Sequence, residues 1–233
     1  MADEGRRDQR VAAVEAPGVP PQGPLRLGRR LPRSFLARPS THVAPDLLGR
    51  ILVRVLPNGD RLAARLVEVE AYEQGDPASH SFTGIPTPRT EVMFGPPGRL
   101  YVYFTYGQHF CSNVVTGDDG VGSAVLLRAA EPLEGLELMA AARGTNAVRL
   151  LCSGPARLTQ AFGIGRPDNG VDLVRDRSLF VVSGAPVARR AIARSTRVGV
   201  NVGIERRWRF FERGSPYLSP GRPSVPAVAT GSR

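Results

Sequence analysis

The dipeptide Asn58-Gly59 is the feature that most constrains the fold of this chain. Asn-Gly between two runs of β-forming residues is the strongest short sequence pattern for a tight hairpin turn. Such runs occupy residues 51–56 and 61–72. We therefore expect two antiparallel strands joined at this turn, and an antiparallel sheet built outward from them.

Further segments extend this pattern along the chain. Strands are predicted at residues 99–106, 111–116, 123–130, 178–182, 196–201 and 207–212, and helices at 41–48, 133–143 and 153–160. Hairpins joined to a few helices indicate the α+β class. We predict one domain at residues 33–218, formed by a mainly antiparallel, curved β-sheet with flanking helices. Residues 1–32, basic and rich in Pro and Gly, and residues 219–233 are predicted to be disordered tails.

The charge of the chain indicates an anionic partner. There are 31 basic residues against 21 acidic residues, for a net charge of +10, and none of the basic residues is lysine. A basic protein of this kind favours nucleic acid as its partner. The absence of lysine excludes a side-chain amine for Schiff-base chemistry.

The same sequence excludes several other classes of protein. Two cysteines, Cys111 and Cys152, are too few for a disulfide scaffold or a cysteine-rich zinc site, and we predict buried free thiols. No apolar run is long enough for a transmembrane helix, and the N-terminus has no signal-peptide pattern. We expect a cytoplasmic monomer that does not bind membranes.

An acidic stretch interrupts the basic chain. Residues 66–80 carry four carboxylates and no arginine, although carboxylates repel DNA phosphates. Strand alternation places Glu68, Glu70 and Tyr72 on one face. Two carboxylates beside an aromatic ring could supply a general base that activates water. The alternative is an ordinary solvent-exposed strand face.

Aromatic, histidine and arginine residues provide further candidates. Three of the five tyrosines, Tyr101, Tyr103 and Tyr106, lie within six residues and could stack on bases or belong to the core. Tyr106 precedes Gly107 and is a candidate wedge into DNA. The histidines lack metal-ligand spacing, so we predict no metal. Eight arginines within residues 189–213 form either a phosphate-binding patch or a solvated surface.

An ordered set of short motifs points to a known family. The motifs are Val67-Glu-Val-Glu-Ala-Tyr72, Ala78-Ser-His80, Thr87-Pro-Arg89, Met93-Phe94, Pro97-Gly98, Tyr101-Val-Tyr103, Tyr106-Gly107, Cys111-Ser-Asn113, Val125-Leu-Leu-Arg128-Ala, Glu131-Pro-Leu-Glu-Gly135, Leu151-Cys-Ser-Gly-Pro155, Arg197-Val-Gly-Val200 and Arg213-Gly-Ser-Pro216. In this order the chain resembles the alkyladenine (3-methyladenine) DNA glycosylase family of the mammalian-type fold, over roughly residues 34–218.

The resemblance implies a base-excision-repair enzyme with no cofactor, which flips alkylated or deaminated purines out of double-stranded DNA and leaves an abasic site. It assigns the general base to Glu70 and the residue that holds the water and the carboxylate to Arg128. The remaining assignments are pocket residues Tyr72, His80, Tyr103, His109 and Asn113, intercalating residue Tyr106, and phosphate contacts Arg89 and Arg197.

The chain departs from the family pattern at a few positions. The loop between Tyr72 and His80 is one residue shorter than in some members, Thr90 replaces a common Asn, and His109 stands where mammalian members carry a tyrosine. The resemblance leaves the ranking of lesions open. Two other classes remain as alternatives: a non-catalytic nucleic-acid-binding module, and a metal-independent hydrolase or lyase for small molecules.

Overall fold

The computed structural model describes residues 25–105 and 107–225. Within them the chain forms a curled, eight-stranded antiparallel sheet with five α-helices, which confirms the predicted fold class. The helices are α1 (Arg33–Leu36), α2 (Ser40–Leu47), α3 (Leu136–Arg143), α4 (Val148–Leu151) and α5 (Pro155–Ala161). The strands are β1 (Ile51–Val55), β2 (Arg61–Tyr72), β3 (Leu100–Thr105), β4 (His109–Val115), β5 (Ala124–Glu134), β6 (Leu179–Val182), β7 (Ile192–Ser195) and β8 (Arg209–Glu212).

Strand β2 is the centre of the sheet. The strands follow the order β3-β4-β5-β2-β1-β6, and β8 pairs with both β2 and β7. The predicted hairpin is present, since Val55 pairs with Arg61 across the turn. Gly59 has a φ of 90° there, a conformation that side chains of L-residues disfavour. Because β2 pairs with β1, β5 and β8, its side chains lie next to residues of three neighbouring strands.

An irregularity in β2 and β5 changes which residues face the helices. In the first half of β2 the even-numbered Leu62 and Leu66 belong to the main core, whereas after the irregularity Val69 does. The register with β5 shifts on both sides of Glu68. Bulges of this kind redirect side chains. As a result, Glu68 lies on the face opposite the helices, although simple alternation from Leu66 would place it toward them.

The main core lies between the sheet and the helices. It joins Leu47 of α2 and Leu158 of α5 to strand residues such as Leu127, all fully buried. Burying such side chains contributes about 1.5–3 kcal/mol each relative to exposure. Cys111 and Cys152 are free and buried, as predicted. The helices thus close one face of the sheet and leave part of the other face for a site.

Several segments differ from the sequence-based expectation. Residues 196–201 form a loop containing a single bridge, not a strand, because Gly199 has a φ of 73° and interrupts extended pairing. The helix predicted from residue 133 begins at Leu136, since β5 continues to Glu134. No helix among the residues described combines the length and apolar character needed to cross a membrane.

Parts of both predicted tails contact the sheet. On the N-terminal side, the amide of Leu31 donates to the carbonyl of Val181, and Leu25 and Leu27 pack against the outer face of β1 and β6. On the C-terminal side, Ser219 is buried. The sequence missed these contacts because proline- and glycine-rich segments lack periodicity even when they pack. Residues 1–24 and 226–233 lie outside the described residues.

Candidate active site

A cavity of about 470 Å³ opens on the sheet face opposite the helices. Strands β2 to β5 supply half of its lining residues, and segments around residues 78–93 and 198–200 together with the first turn of α5, residues 155–156, complete it. The cavity brings together all seven residues predicted for catalysis and base binding, namely Glu70, Tyr72, His80, Tyr103, His109, Asn113 and Arg128. The sheet therefore gathers residues separated by almost 60 positions into one concave site.

The floor of the cavity is a row of side chains across four strands. Tyr101 pairs with Asn113, Asn113 with Leu126, and Leu126 with Glu70. Directly paired residues in neighbouring strands present their side chains to the same face of a sheet. Glu70, the candidate base, and Asn113, the predicted pocket residue, are therefore fixed relative to each other by backbone pairing.

The carboxylate of Glu70 is fully buried and has three partners. Its Oε1 accepts a hydrogen bond from the Val198 amide at 2.8 Å, and its Oε2 accepts one from the Tyr72 hydroxyl at 3.0 Å. The guanidinium of Arg128 lies 3.5 Å from Oε2. Burial raises the pKa of Glu70, while the charge of Arg128 and the two hydrogen bonds oppose that rise. The site thus holds a carboxylate with a raised proton affinity against a nearby cation.

A second buried carboxylate, Glu68, holds Arg128 in place. Glu68 Oε1 lies 2.8 Å from Arg128 Nε and 2.7 Å from Nε of Arg209. The amide and hydroxyl of Ser219 also donate to Glu68, at 2.7 and 2.8 Å. Two carboxylates, Glu68 and Glu70, thus face two guanidinium groups. The solvent-exposed alternative for this strand face is wrong, because its charges are neutralised by partners from distant segments.

Aromatic rings form one wall of the cavity. The rings of His80 and Tyr103 meet edge to face with centroids 4.7 Å apart, and His80 Nδ1 lies 3.0 Å from the Tyr101 hydroxyl oxygen. Burial and the charge of Arg89 lower the pKa of His80, so its ring is neutral near pH 7. Burial also raises the pKa of Tyr72 and Tyr103, which keeps both phenols protonated. A planar, uncharged ligand could stack against this wall.

Asn113 presents a polar group on the face of β4 that also carries His109 and Cys111. The side chain is buried, and its Nδ2 donates to the carbonyl of Tyr101 on the neighbouring strand at 3.2 Å. The bond crosses to the neighbouring strand β3 and does not cap the turn that precedes β4. Because the amide group is anchored in this way, it stands at a fixed position in the cavity.

One of the two arginines predicted to contact phosphate is in the interior. Arg197 is fully buried, and its guanidinium binds both oxygens of Asp76 and lies against the rings of Tyr72 and Trp208. A side chain with no exposed surface does not reach a DNA phosphate, so this assignment is corrected. Arginine density alone could not separate an internal ion pair from a surface patch.

The two other predicted DNA contacts have different outcomes. Arg89 is exposed and stands at the cavity, 5.8 Å from the centre of the Tyr103 ring. Its contact with phosphate stays a prediction. Tyr106, predicted to intercalate, lies outside the described residues.

Sequence reasoning missed several residues that build the site. Val198 supplies an amide to Glu70, Ser219 contacts Glu68 and Arg128, and Met93 and Leu126 line the cavity. The motif Arg197-Val-Gly-Val200 marked the loop of Val198 but gave no role for its backbone. Nothing in the sequence around Ser219 indicated a contact with the site.

Comparisons with known proteins agree with this geometry. Residues 34–216 match the family described as Methylpurine-DNA glycosylase (MPG). Three relatives carry the name "Putative 3-methyladenine DNA glycosylase". One, from Carboxydothermus hydrogenoformans, is 49% identical over 189 residues, which cover 81% of this chain and 98% of the relative. Another, from Burkholderia cenocepacia, is 49% identical over 201 residues, covering 85% and 95%. A third, from Methanoculleus marisnigri, is 49% identical over 192 residues, covering 81% and 98%.

The fold, the cavity and these matches define the class as a DNA glycosylase, a hydrolase of N-glycosyl bonds that acts in DNA repair. Within that class, the chain belongs to the methylpurine-DNA glycosylase family. The resemblance found from the motifs is thereby confirmed.

Proposed function

We propose that this chain is a monofunctional glycosylase for alkylated or deaminated purines in double-stranded DNA. The lesions are of the 3-methyladenine, 7-methylguanine, hypoxanthine and ethenoadenine type. The enzyme flips the damaged nucleotide into the cavity, hydrolyses the N-glycosidic bond with a water activated by Glu70, and leaves an intact abasic site.

The observation that carries this proposal is the buried carboxylate of Glu70 in the wall of an aromatic cavity. A general base needs a protonation state set by its surroundings and a fixed direction toward the reacting centre. Arg128, Tyr72 and the Val198 amide supply both by holding the two oxygens of Glu70. A merely structural carboxylate would not need to face a cavity of this size.

The cavity also fits the binding of a flipped purine. A base inside a duplex is inaccessible, so its nucleotide has to be extruded at a cost of a few kcal/mol. Stacking against Tyr72, His80 and Tyr103 offsets that cost by about 1–3 kcal/mol per base. Damaged bases pair poorly and cost least to extrude. Arg89 at the cavity and Tyr106 beyond β3 are proposed to hold the duplex, by contacting phosphate and by filling the vacated space.

In the chemical step, the bond between C1′ and the base nitrogen breaks, and its electron pair leaves with the base. The sugar gains oxocarbenium character, which the negative charge of Glu70 stabilises. Water oxygen bonds to C1′, and Glu70 takes the proton that the water loses. Arg128 favours the ionised form of Glu70 before the reaction. A cationic alkylated base leaves as a neutral molecule, whereas hypoxanthine or ethenoadenine leaves as an anion that takes up a proton from solvent. Glu70 returns its proton to solvent, and the products are a free base and an abasic sugar.

The test is single-turnover excision by Glu70→Gln on a duplex with one hypoxanthine. We expect lesion binding within a few-fold of wild type and a loss in rate of at least about 10²-fold, since general-base catalysis contributes 10²–10⁴. Glu68→Gln, on the same face of β2, is the matched control and should lose much less. A larger loss of rate in Glu68→Gln than in Glu70→Gln would mean that Glu68, and not Glu70, is the general base. Lesion binding without base release by the wild-type chain would favour the non-catalytic binding module.

A further inference from the structure

The segment Ser219–Ser224, which we call the C-terminal strap, lies beyond the last residue of the family match, residue 216. It has the sequence Ser-Pro-Gly-Arg-Pro-Ser and no regular secondary structure apart from one bridge. Pro220 and Pro223 restrict its backbone and reduce the entropy lost on ordering. The strap nevertheless contacts the surroundings of Glu70 at two separate places.

The first end of the strap contacts the ion pair behind Glu70. Ser219 donates two hydrogen bonds to Glu68, through its amide at 2.7 Å and its hydroxyl at 2.8 Å. Its hydroxyl oxygen also lies 3.2 Å from Arg128 Nε. Ser219 therefore touches both members of the pair that directs the Arg128 guanidinium toward Glu70.

The second end of the strap fastens the loop that carries Val198. Ser224 donates its amide to the carbonyl of Arg197 at 2.8 Å, and its hydroxyl oxygen accepts the Val200 amide at 3.1 Å. Its carbonyl accepts the Thr196 hydroxyl at 2.7 Å. Ser224 thus bonds residues on both sides of Val198, whose amide donates to Glu70.

Between these ends, the strap passes so close to the site that only glycine fits. A methyl carbon on Gly221 would lie 2.6 Å from Val198 Cγ1 and 3.0 Å from Arg128 Nη2. Because the distance to Val198 Cγ1 is under 3.0 Å, an alanine at this position would displace either the Val198 side chain or the strap itself. Gly221 therefore touches the two residues that hold opposite oxygens of Glu70.

We propose that the C-terminal strap is a positioning element for catalysis, which holds Arg128 and the Val198 amide against the two oxygens of Glu70. The strap does not contact Glu70 or the reacting atoms directly, and it acts only through Arg128 and Val198. The proposal rests on the proposed function, because it gives the strap a role in aligning the general base.

The experiment compares Ser219→Ala, Ser224→Ala and Gly221→Ala in the full chain with wild type. Readouts are the single-turnover rate at saturating enzyme, the Kd for lesion DNA, and amide hydrogen exchange at Val198 and Val200. We expect each serine variant to lose about three- to tenfold in rate, the equivalent of one hydrogen bond. Gly221→Ala should lose more, all Kd values should stay within about twofold, and amide exchange should accelerate in Ser224→Ala.

Two further variants keep the result interpretable. Ser215→Ala is the matched control, because within residues 25–105 and 107–225 its hydroxyl bonds only the nearby Tyr217 amide, and it should retain the wild-type rate. Ser224→Thr keeps a hydroxyl and should restore most of the rate lost in Ser224→Ala. Such rescue would separate positioning from a general loss of stability.

The proposal is overturned if folded Ser219→Ala, Ser224→Ala and Gly221→Ala keep the wild-type rate, or if the whole effect is in Kd. These results are read only against an active wild type. A wild-type chain that releases no base would instead refute the proposed function, whereas the amide exchange would still report whether the strap holds the Val198 loop.

Discussion

Arg128 lies closer to Glu68 than to Glu70, since its Nε is 2.8 Å from Glu68 Oε1 whereas its Nη1 is 3.5 Å from Glu70 Oε2. Arg128 thus makes its closer ion pair with Glu68, which does not line the cavity. Burial has the largest effect on the pKa of Glu70 and raises it, while Arg128 lowers it and Glu68 raises it further, which determines the direction of the following pH effects.

The pH dependence of excision should move in opposite directions in two variants. A base works when ionised, so the rate falls on the acid side as pH drops through the pKa of Glu70. Arg128 lowers that pKa and Glu68 raises it. Arg128→Gln should therefore move the acid limb to higher pH, and Glu68→Gln should move it to lower pH. Single-turnover rates from pH 4 to 8 measure this, and shifts of the same sign in both variants would contradict it.

The stability of the fold should also depend on the charge of Glu70. Burial raises its folded-state pKa above the usual value of 4.5, so the folded chain binds this proton more tightly than the unfolded chain. Protonated Glu70 therefore stabilises the folded state at pH values below the pKa of this group in the unfolded chain. This stabilisation is lost as the pH rises through its higher pKa in the folded chain. Relative to wild type, Glu70→Gln should gain free energy of unfolding between pH 4 and pH 8. Urea unfolding across this range checks the trend, and a pH-independent difference would exclude it.

Asn113 should discriminate against guanine. Every purine offers a stacking face, so rejection of an unwanted base needs a clash or an unpaired polar contact. The amide of Asn113, fixed by its bond to Tyr101, can crowd the 2-amino group that hypoxanthine and adenine lack. Asn113→Ala and Asn113→Ser should raise excision of 7-methylguanine or guanine relative to hypoxanthine. The ratio of the two rates is the measurement, because instability would lower both, and an unchanged ratio would leave Asn113 with a structural role only.

The absence of lysine predicts excision without strand cleavage. A lyase step needs an amine that forms a Schiff base with the opened sugar, and this sequence has no lysine side chain. Lesion DNA treated with the enzyme should carry intact abasic sites that break only after alkali. Borohydride present during the reaction should trap no covalent adduct. A trapped adduct would show that an amine of the chain takes part.

Arg89 and Arg197 should respond differently to substitution. Arg89→Ala removes an exposed charge at the cavity, so DNA affinity should fall and the slope of log K against log salt should decrease by about 1. Arg197→Met removes the close partner of the buried Asp76 and leaves it with Arg206 at 3.8 Å, which should cost about 3–5 kcal/mol of stability. Its salt slope, measured on the folded fraction below the unfolding temperature, should match wild type. A reduced slope for Arg197→Met would mean that this side chain reaches DNA.

Local patterns in the sequence predicted most of the strands, because hairpin turns and alternation are properties of neighbouring residues, whereas most of the cavity residues were assigned through the family resemblance. The pattern placed Glu68 and Glu70 on one face but could not tell whether that face was buried. Their partners Arg128, Arg209 and Ser219 lie 58 to 151 residues away along the chain. One local sign was available, since apolar residues occupy even positions up to Leu66 and a carboxylate occupies the next even position. That break in alternation marks the irregularity.

The row Tyr101, Asn113, Leu126 and Glu70 constrains how this enzyme can diverge. Inserting or deleting one residue in any of the four strands would exchange their two faces from that point onward. Such a change in β2 would turn Glu70 away from the cavity, and one in β4 would turn Asn113 away, so either breaks the alignment of base and selectivity residue. New lesion ranges on this scaffold should therefore arise from replacements at constant strand length, while changes in length should accumulate in connecting loops such as residues 73–79 and 116–123.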